Sequence, residues 1–473
     1  MMAQPLKLLG NLLLSGALLL GLVGSGAAKE SPLVASGQDD RQRIDVTVYN
    51  RDLALVREIR RVDLPKGDFS FEFRDVPSRI NPVTLLVSSS GGTGLELYEQ
   101  NYEFDLMSPD KILQKYVGRQ LTWIQEDGTR LTGTLLGMSS GPVYSVDEEI
   151  VFEMPGRLAL PELPENLRAR PTLVWLAHAA KSGNTEVETS YLTGGFSWHA
   201  DYVLQLDEKG EEAGLQAWVT VENRTGASYR DANLLLVAGD INQARPGRET
   251  LMAYDGMAKS SVAAPFVEES LYDYHMYTMQ RPTDLLDNQI KQISLFDAAG
   301  LKVTKHYRLR AQPHYFRGRG RMTEKSKVGV SYSFENTEEN NLGMALPAGV
   351  FRVYGRSASG SRQLLGEDRI DHTPKKETID LKVGNAFDIV AERVRTNSEK
   401  LADNLYRTTF EITIRNHKEE PVVVEVNESV GGFWEVVKES LPHRKVSAGE
   451  LAFDVPVPAD GETVLTYTVQ VKY

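Results

Sequence analysis

The sequence predicts a mainly β protein: several antiparallel β-sandwich (Ig-like) domains, a small SH3- or Sm-like barrel inserted in the first, and one short helix. Three observations predict this. One strand phrase returns along the chain: WVTVENRTG at 218–226, GVSYSFENTEEN at 329–340, FEITIRNHKEE at 410–420 and, more loosely, RIDVTVYNRD at 43–52. In each copy apolar residues stand two and four places before an asparagine, the spacing of one strand face. A new apolar strand follows each copy, so the phrase reads as strand, turn, strand.

The members are Val219 and Val221 before Asn223, Tyr332 and Phe334 before Asn336, Ile412 and Ile414 before Asn416, and Val46 and Val48 before Asn50. Thr220, Ser331, Ser333, Thr413 and Thr47 fall on the opposite face, the alternation of a half-buried antiparallel strand. The asparagine is expected to end the strand by tolerating left-handed backbone and bonding the local main chain. Good hairpin chemistry accounts for the recurrence as well as duplication does.

Further strands are read at FSFEF 69–73, TLLVSS 84–89, TLVWLA 172–177 and TVLTYTVQV 463–471. The helix is SPDKILQKYVG at 108–118, with Ser108 as N-cap, Pro109 at the first position, Asp110 in the first turn and Gly118 past the end. Beyond it, Gly128 sits in an Asp-Gly turn and Gly133 in mid-strand, where a strand bends sharply. That pattern gives the inserted barrel at 108–163; an ordinary hairpin extension is the alternative. The division is then 1–28 signal peptide, 29–42 flexible N-terminus, 43–107 with 164–242 a first β domain, 243–270 a linker or long loop, 271–383 a second β-sandwich, and 384–473 a C-terminal Ig-like sandwich.

Lys7, an apolar run from Leu8 to Val23, and GSGAA ending at Ala28 have the n-, h- and c-regions of a cleaved secretory signal. The run is short for a membrane anchor, and no later stretch is long and apolar enough to span a bilayer. With no cysteine the chain is no lipoprotein and carries no disulfides, so its stability must come from ordinary cores. The expected location is periplasmic or extracellular. Fifty-three Lys and Arg face 65 Asp and Glu, a net charge of −12, and losing residues 1–28 removes only Lys7. An acidic chain argues against a nucleic-acid partner. The basic RGRGRM at 317–322 is short and Gly-rich, as in a solvated loop.

Chemistry is sparse. SWHADY at 197–202 offers His199 and Asp201, two apart on one strand face and so within reach of each other as a base and its orienting carboxylate. They are weak catalytic candidates, because no nucleophile elbow accompanies them; Trp198 and Tyr202 would be core aromatics on the other face. The eight histidines form no metal motif, and His306 and His314 stand too far apart to act together. Asp147, Glu148 and Glu149 lack a calcium-loop pattern. Glu222 and Asp240 are nominal acids for a hydrolase whose carboxylates converge from distant positions. No GxGxxG or GKS/T loop occurs, so no nucleotide, cofactor or metal is expected. LYDYHMYTM at 271–279 puts aromatics on both faces, as a carbohydrate or protein interface or a strand between two layers would; the second is preferred.

The stretches VYNRDLALVRE, DVPSRINPVTL, YEQNYEFDLMSPDKIL, KYVGRQL, YLTGGFSWHADYV, DANLLLVAGDIN, DNQIKQISLF, LPAGVFRVYGRSASGSRQLLGEDRIDHTP and VGNAFDIVAER together resemble a bacterial secreted family known as domain of unknown function 4139. Some of its relatives are labelled mucoidy-inhibitor-like. The resemblance runs from about Arg43 to Tyr473 and implies a β-rich exported protein, with no activity or catalytic residue to transfer. Longer relatives carry a coiled-coil insertion; this chain shows no heptads for one. The expectation is a non-enzymatic envelope protein that binds or scaffolds another envelope protein or a polysaccharide. A hydrolase with dispersed carboxylates and an outer-membrane β-barrel are the alternatives, the latter because TVLTYTVQVKY ends in an apolar stripe closed by Tyr473.

Overall fold

The structure is a computed structural model that describes residues 31–239 and 266–473, apart from 106, 140, 163, 165, 166, 272, 273, 312, 317–321 and 358. The signal peptide at 1–28, most of the linker at 243–270, most of RGRGRM, and Asp240 lie outside the described residues. The rest is mainly β, with a single α-helix among the described residues and five sheets. The strand order of every sheet runs between two ends, and none closes on itself.

Three sheets share one large core. A four-stranded sheet joins Leu33–Ser36, Gly67–Arg74, Thr172–Ala179 and Leu95–Glu103. A second runs from Phe266–Leu271 through Tyr229–Ala238, Arg41–Tyr49 and Ala54–Leu64 to Leu86–Ser90. A third has the order Gln289–Lys302, Glu212–Asn223, Phe196–Leu206, Gly349–Arg356, Arg362–Ile370. Alternation explains why they pack. Phe69, Phe71 and Phe73 share one strand face and meet Trp175, whose ring stacks on Phe73 at 5.3 Å. Trp198, Ala200, Tyr202 and Leu204 supply the third sheet's inner face, so the core aromatics expected in SWHADY are in place.

The helix is Pro109–Lys115, where the Ser108 side chain accepts from the Lys111 amide at 3.2 Å and Gly118 is left-handed at φ 80°. It packs beside a five-stranded sheet of residues 120–159 around Leu121, Trp123, Leu135 and Tyr144. A side chain at Gly133 would meet Val146 Cγ2 at 2.8 Å, so its smallness serves close strand packing. The sheet's end strands, Glu149–Val151 and Arg157–Ala159, do not pair, so it is an open sheet in place of the expected barrel. Asp147 and Glu148 form the two-residue turn between Val143–Val146 and Glu149–Val151, at φ 48° and 70°.

The sheets cross two boundaries drawn from the sequence. Gln289–Lys302 and Gly349–Arg356, expected in a second sandwich, pair with Glu212–Asn223 and Phe196–Leu206 of the first. The 25-residue strand Thr378–Ala402 runs straight through position 384. Its Ile379 and Leu381 belong to the large core, while Ile389 and Ala391 belong to a second core. Its neighbour Met322–Glu335 does the same, with Tyr332 and Phe334 in one core and Val328 in the other. The second core is enclosed by one continuous nine-stranded sheet whose arms face each other; Phe453 of one arm meets Tyr467 of the other at 4.9 Å. Leu465, Tyr467, Val469 and Val471 are buried there as expected, whereas Tyr473 is exposed. In Tyr274–Met279, Tyr277 and Met279 are buried and Tyr274 and Met276 only partly so; the strand is covered on one face, not held between layers.

The repeated asparagine proves to be a buried latch. The Asn223 Nδ2 donates to the carbonyls of Ala227 and Leu285, and its Oδ1 accepts from the Thr225 amide. Asn416 does the same with Glu420, Pro458 and the Lys418 amide. Asn336 donates to Met344 and Pro374 and accepts from Gly343. None of the three has positive φ, so the expected left-handed backbone is not used. The side chain folds the turn by bonding its main chain and ties that turn to a distant loop. Asn50, in the looser copy, accepts one longer bond from the Gly239 amide at 3.4 Å.

Candidate functional site

His199 and Asp201 lie on the outward face of the third sheet, opposite the large core. Their strand, Phe196–Leu206, alternates strictly, so the pair that the sequence placed on one face is on one face, with His199 Nε2 3.3 Å from Asp201 Oδ2. Three other strands complete the surroundings. From Glu212–Asn223, Thr220 donates its hydroxyl to Asp201 Oδ2 at 2.6 Å. From Gln289–Lys302, Gln292 donates to Thr220 Oγ1 at 3.2 Å. From Gly349–Arg356, Arg352 donates to Asp201 Oδ1 at 3.0 Å and, through Nε, to Glu367 at 2.9 Å.

Gly349 makes the last contact available. Its strand runs parallel to Phe196–Leu206 with Gly349 beside Ala200, and a side chain there would stand 2.3 Å from the Ala200 carbonyl oxygen. Next to it the Tyr202 and Phe351 rings stack at 4.3 Å on the core side.

Asp201 is only 7% exposed, yet its carboxyl is held below the ordinary aspartate range. Burial pushes it up; the Thr220 hydrogen bond, the Arg352 pairing and the neighbouring His199 outweigh that. It is therefore an ionised anchor with both oxygens engaged. An ionised, fixed carboxylate of this kind orients the His199 ring, the role the sequence gave it. The hydroxyl beside it, on Thr220, is spent on Asp201 itself.

Directly across the strand pair from Asp201 stands Trp218, 37% exposed. Its ring projects outward beside a fixed carboxylate, a guanidinium and an imidazole. The same face continues to Gln205 and Tyr354, where a cleft of about 600 Å³ opens between two hairpin ends. Tyr354 lies four residues along and two strands across from Trp218, roughly 16 Å away by strand geometry. An exposed and a half-buried aromatic on one sheet, separated by hydrogen-bonding side chains, form a surface suited to an extended polar ligand with apolar ring faces.

The other sequence candidates do not join this face as a catalytic set. Glu222 is on the same strand as Trp218 but pairs with Arg224 at 2.5 Å. His306 bonds Ser333 at 2.7 Å on a different sheet, and burial, with Arg308 adding to it, lowers its pKa. The His314 side chain lies outside the described residues. Among the described residues no group of three or more His, Cys, Asp or Glu is placed to hold a metal. Trp218, Arg352, Glu367 and Tyr354 went unnoticed in the sequence. Trp218 carried one signal: a tryptophan at an outward position, one residue before the buried Val219.

No curated protein matches the chain. A family model, described as Domain of unknown function (DUF4139), matches residues 187–473 and so contains every strand of this sheet. The resemblance read from the sequence began at Arg43, whereas the match begins at Val187, inside the strand Gly183–Thr193. Spanning more than half of its length, the match makes the chain a member of the domain of unknown function family DUF4139.

Proposed function

We propose that this protein is an exported binding protein of the bacterial envelope, periplasmic or extracellular, that holds a polysaccharide on the outward face of the sheet containing Phe196–Leu206. The observation that carries this reading is Trp218, exposed on a rigid strand beside Asp201. A sugar ring offers an apolar face to stack on the indole and hydroxyls to bond Asp201's neighbours, His199, Arg352 and Gln292. Export is supported by the n-, h- and c-regions at 1–28. The Thr220 hydroxyl is spent on Asp201 and is not held toward His199 as a nucleophile, which favours binding over hydrolysis.

The test is direct binding of residues 29–473 to immobilised envelope polysaccharides, with Trp218→Ala beside it. The variant should lose about tenfold or more in affinity, in line with the loss of one stacked ring, and keep its unfolding midpoint. Equal affinity of the two proteins would remove the basis for this site. Turnover of the glycan by the intact protein would favour the hydrolase instead. Intact-mass measurement of the exported form should place its N-terminus at Lys29.

A further inference from the structure

The cleft at the end of this face has two unlike walls. Both Phe196–Leu206 and the parallel Gly349–Arg356 end in hairpins that project at the same end of the sheet. Gly214, Gly300 and Gly355 line the space between them. A side chain at Gly214 would meet no heavy atom closer than 3.9 Å, so the space above it is open.

One wall is cationic. Arg356 and Arg362 are directly opposed across the antiparallel pair, and neither has a carboxylate partner among the described residues. Like charges facing each other across a strand pair repel, so an arrangement with nothing between them is destabilising. Beside them the hairpin sets three hydroxyls in contact: Ser357 Oγ lies 2.8 Å from Ser359 Oγ and 2.7 Å from Ser361 Oγ. These hydroxyls bond one another and the Ser361 carbonyl within the hairpin, and the cleft wall itself is made by the two guanidiniums. Two guanidinium forks without a carboxylate of their own match an anion that accepts parallel hydrogen bonds, as a carboxylate does.

The facing wall is different. Asp207 accepts the Glu211 and Glu212 amides on Oδ1, at 2.9 and 3.1 Å, and so closes its own turn. Glu208 and Lys209 join it on that wall, and Glu212 and Gln205 stand there as acceptors for hydroxyl groups. Tyr354 stands between the walls.

We infer that this cleft binds a carboxylated sugar residue: its carboxylate between Arg356 and Arg362, its ring against Tyr354, and its hydroxyls on Gln205 and Glu212. The inference rests on the polysaccharide reading above and adds the charge class of the ligand. It treats the cleft as one end of a chain-binding track whose other end is Trp218.

The experiment is calorimetric titration of residues 29–473 with an oligogalacturonate and with a neutral oligosaccharide of equal length. The uronate should bind at least tenfold more tightly, with an affinity that falls as salt rises. Arg356→Gln with Arg362→Gln should abolish that preference without lowering the unfolding midpoint, and the double Lys variant should restore part of it. Equal binding of the two glycans, or an unchanged preference in the double Gln variant, would overturn the inference while leaving the polysaccharide reading intact. Displacement of the uronate by an equal concentration of inorganic phosphate would also overturn it, because the arginines would then read charge without the sugar. Binding of neither glycan would take the polysaccharide reading down with it.

Discussion

Asn416 is fully buried and joins three chain segments with one side chain: its own strand, the turn to Glu420, and the loop at Pro458. Asn416→Val would keep the volume and strand preference but leave two carbonyls and the Lys418 amide without partners. A cost of about 2–4 kcal/mol in urea unfolding is expected. Thr413→Val, half-buried on the other face, should cost less than about 1 kcal/mol. The reverse order would show that the latch does not hold this end of the strand. Two buried glutamates illustrate a second residue-scale rule. Burial pushes both up in pKa, but Glu58 sits between Arg60 at 3.0 Å and Arg41 at 2.8 Å, and together they hold it below the ordinary glutamate range. Glu428 has a single guanidinium, Arg393 at 2.6 Å, with the Tyr467 hydroxyl beside it, and burial outweighs them so that it stays raised. A lowered folded-state pKa stabilises above the unfolded value and loses that contribution as pH falls through the folded one. Glu58→Gln should therefore cost about 3–5 kcal/mol at pH 7, with two arginines left uncompensated. The gap from the parent should narrow below about pH 4.5, the ordinary glutamate value. A gap that stays constant from pH 7 to pH 3 would contradict the assignment.

The final strand, Gly461–Lys472, is a second instructive case, at the scale of the element. It lies between Leu405–Asn416 and Phe433–Glu439, pairing with both, and buries Leu465, Tyr467, Val469 and Val471. At about 1.5–3 kcal/mol for each buried side chain, those four are worth about 6–12 kcal/mol, comparable with a whole domain's net stability. Deleting 464–473 should expose the second core, and limited proteolysis should then cut within Leu405–Asn416 at rates far above those of the full chain. An unchanged digestion pattern would mean that the strand is an accessory. The same alternation that buries this stripe turns Thr466, Thr468 and Gln470 outward, which is why one sequence pattern suited both a membrane barrel and a sheet over a core. The open strand orders separate the two.

At the scale of the molecule, the two cores are mechanically linked because Met322–Glu335 and Thr378–Ala402 serve both. The handover occurs at bulges near Gly329 and Val330, where the strands change register and so change which face meets which core. Cores that share continuous strands cannot lose one end of those strands independently, so unfolding should be concerted. Variants retaining only Trp198, in the large core, or only Trp434, packed against the second, should give coincident urea midpoints by fluorescence. Midpoints separated by more than the fitting error would show two independent units.

The sequence by itself determined what is local. Period-two alternation assigned the inward faces of the repeated strands, so Val219, Phe334 and Ile412 are buried where expected. Capping chemistry placed the helix, and a spacing of two brought His199 to Asp201. Pairings between distant segments were decided only in the tertiary structure. Four strand pairings among the described residues are parallel, and such pairs need long connections that leave no hairpin signal. Arg352 reaches Asp201 from 151 residues away, and Arg356, Tyr354 and Gly214 share a cleft only because two hairpins end on the same side of one sheet. The asparagine latches divide between the two levels. Their turn bonds were legible because they span a few residues; their bonds to Leu285, Pro374 and Pro458 were not, because a buried carbonyl chooses its donor only once packing has excluded water.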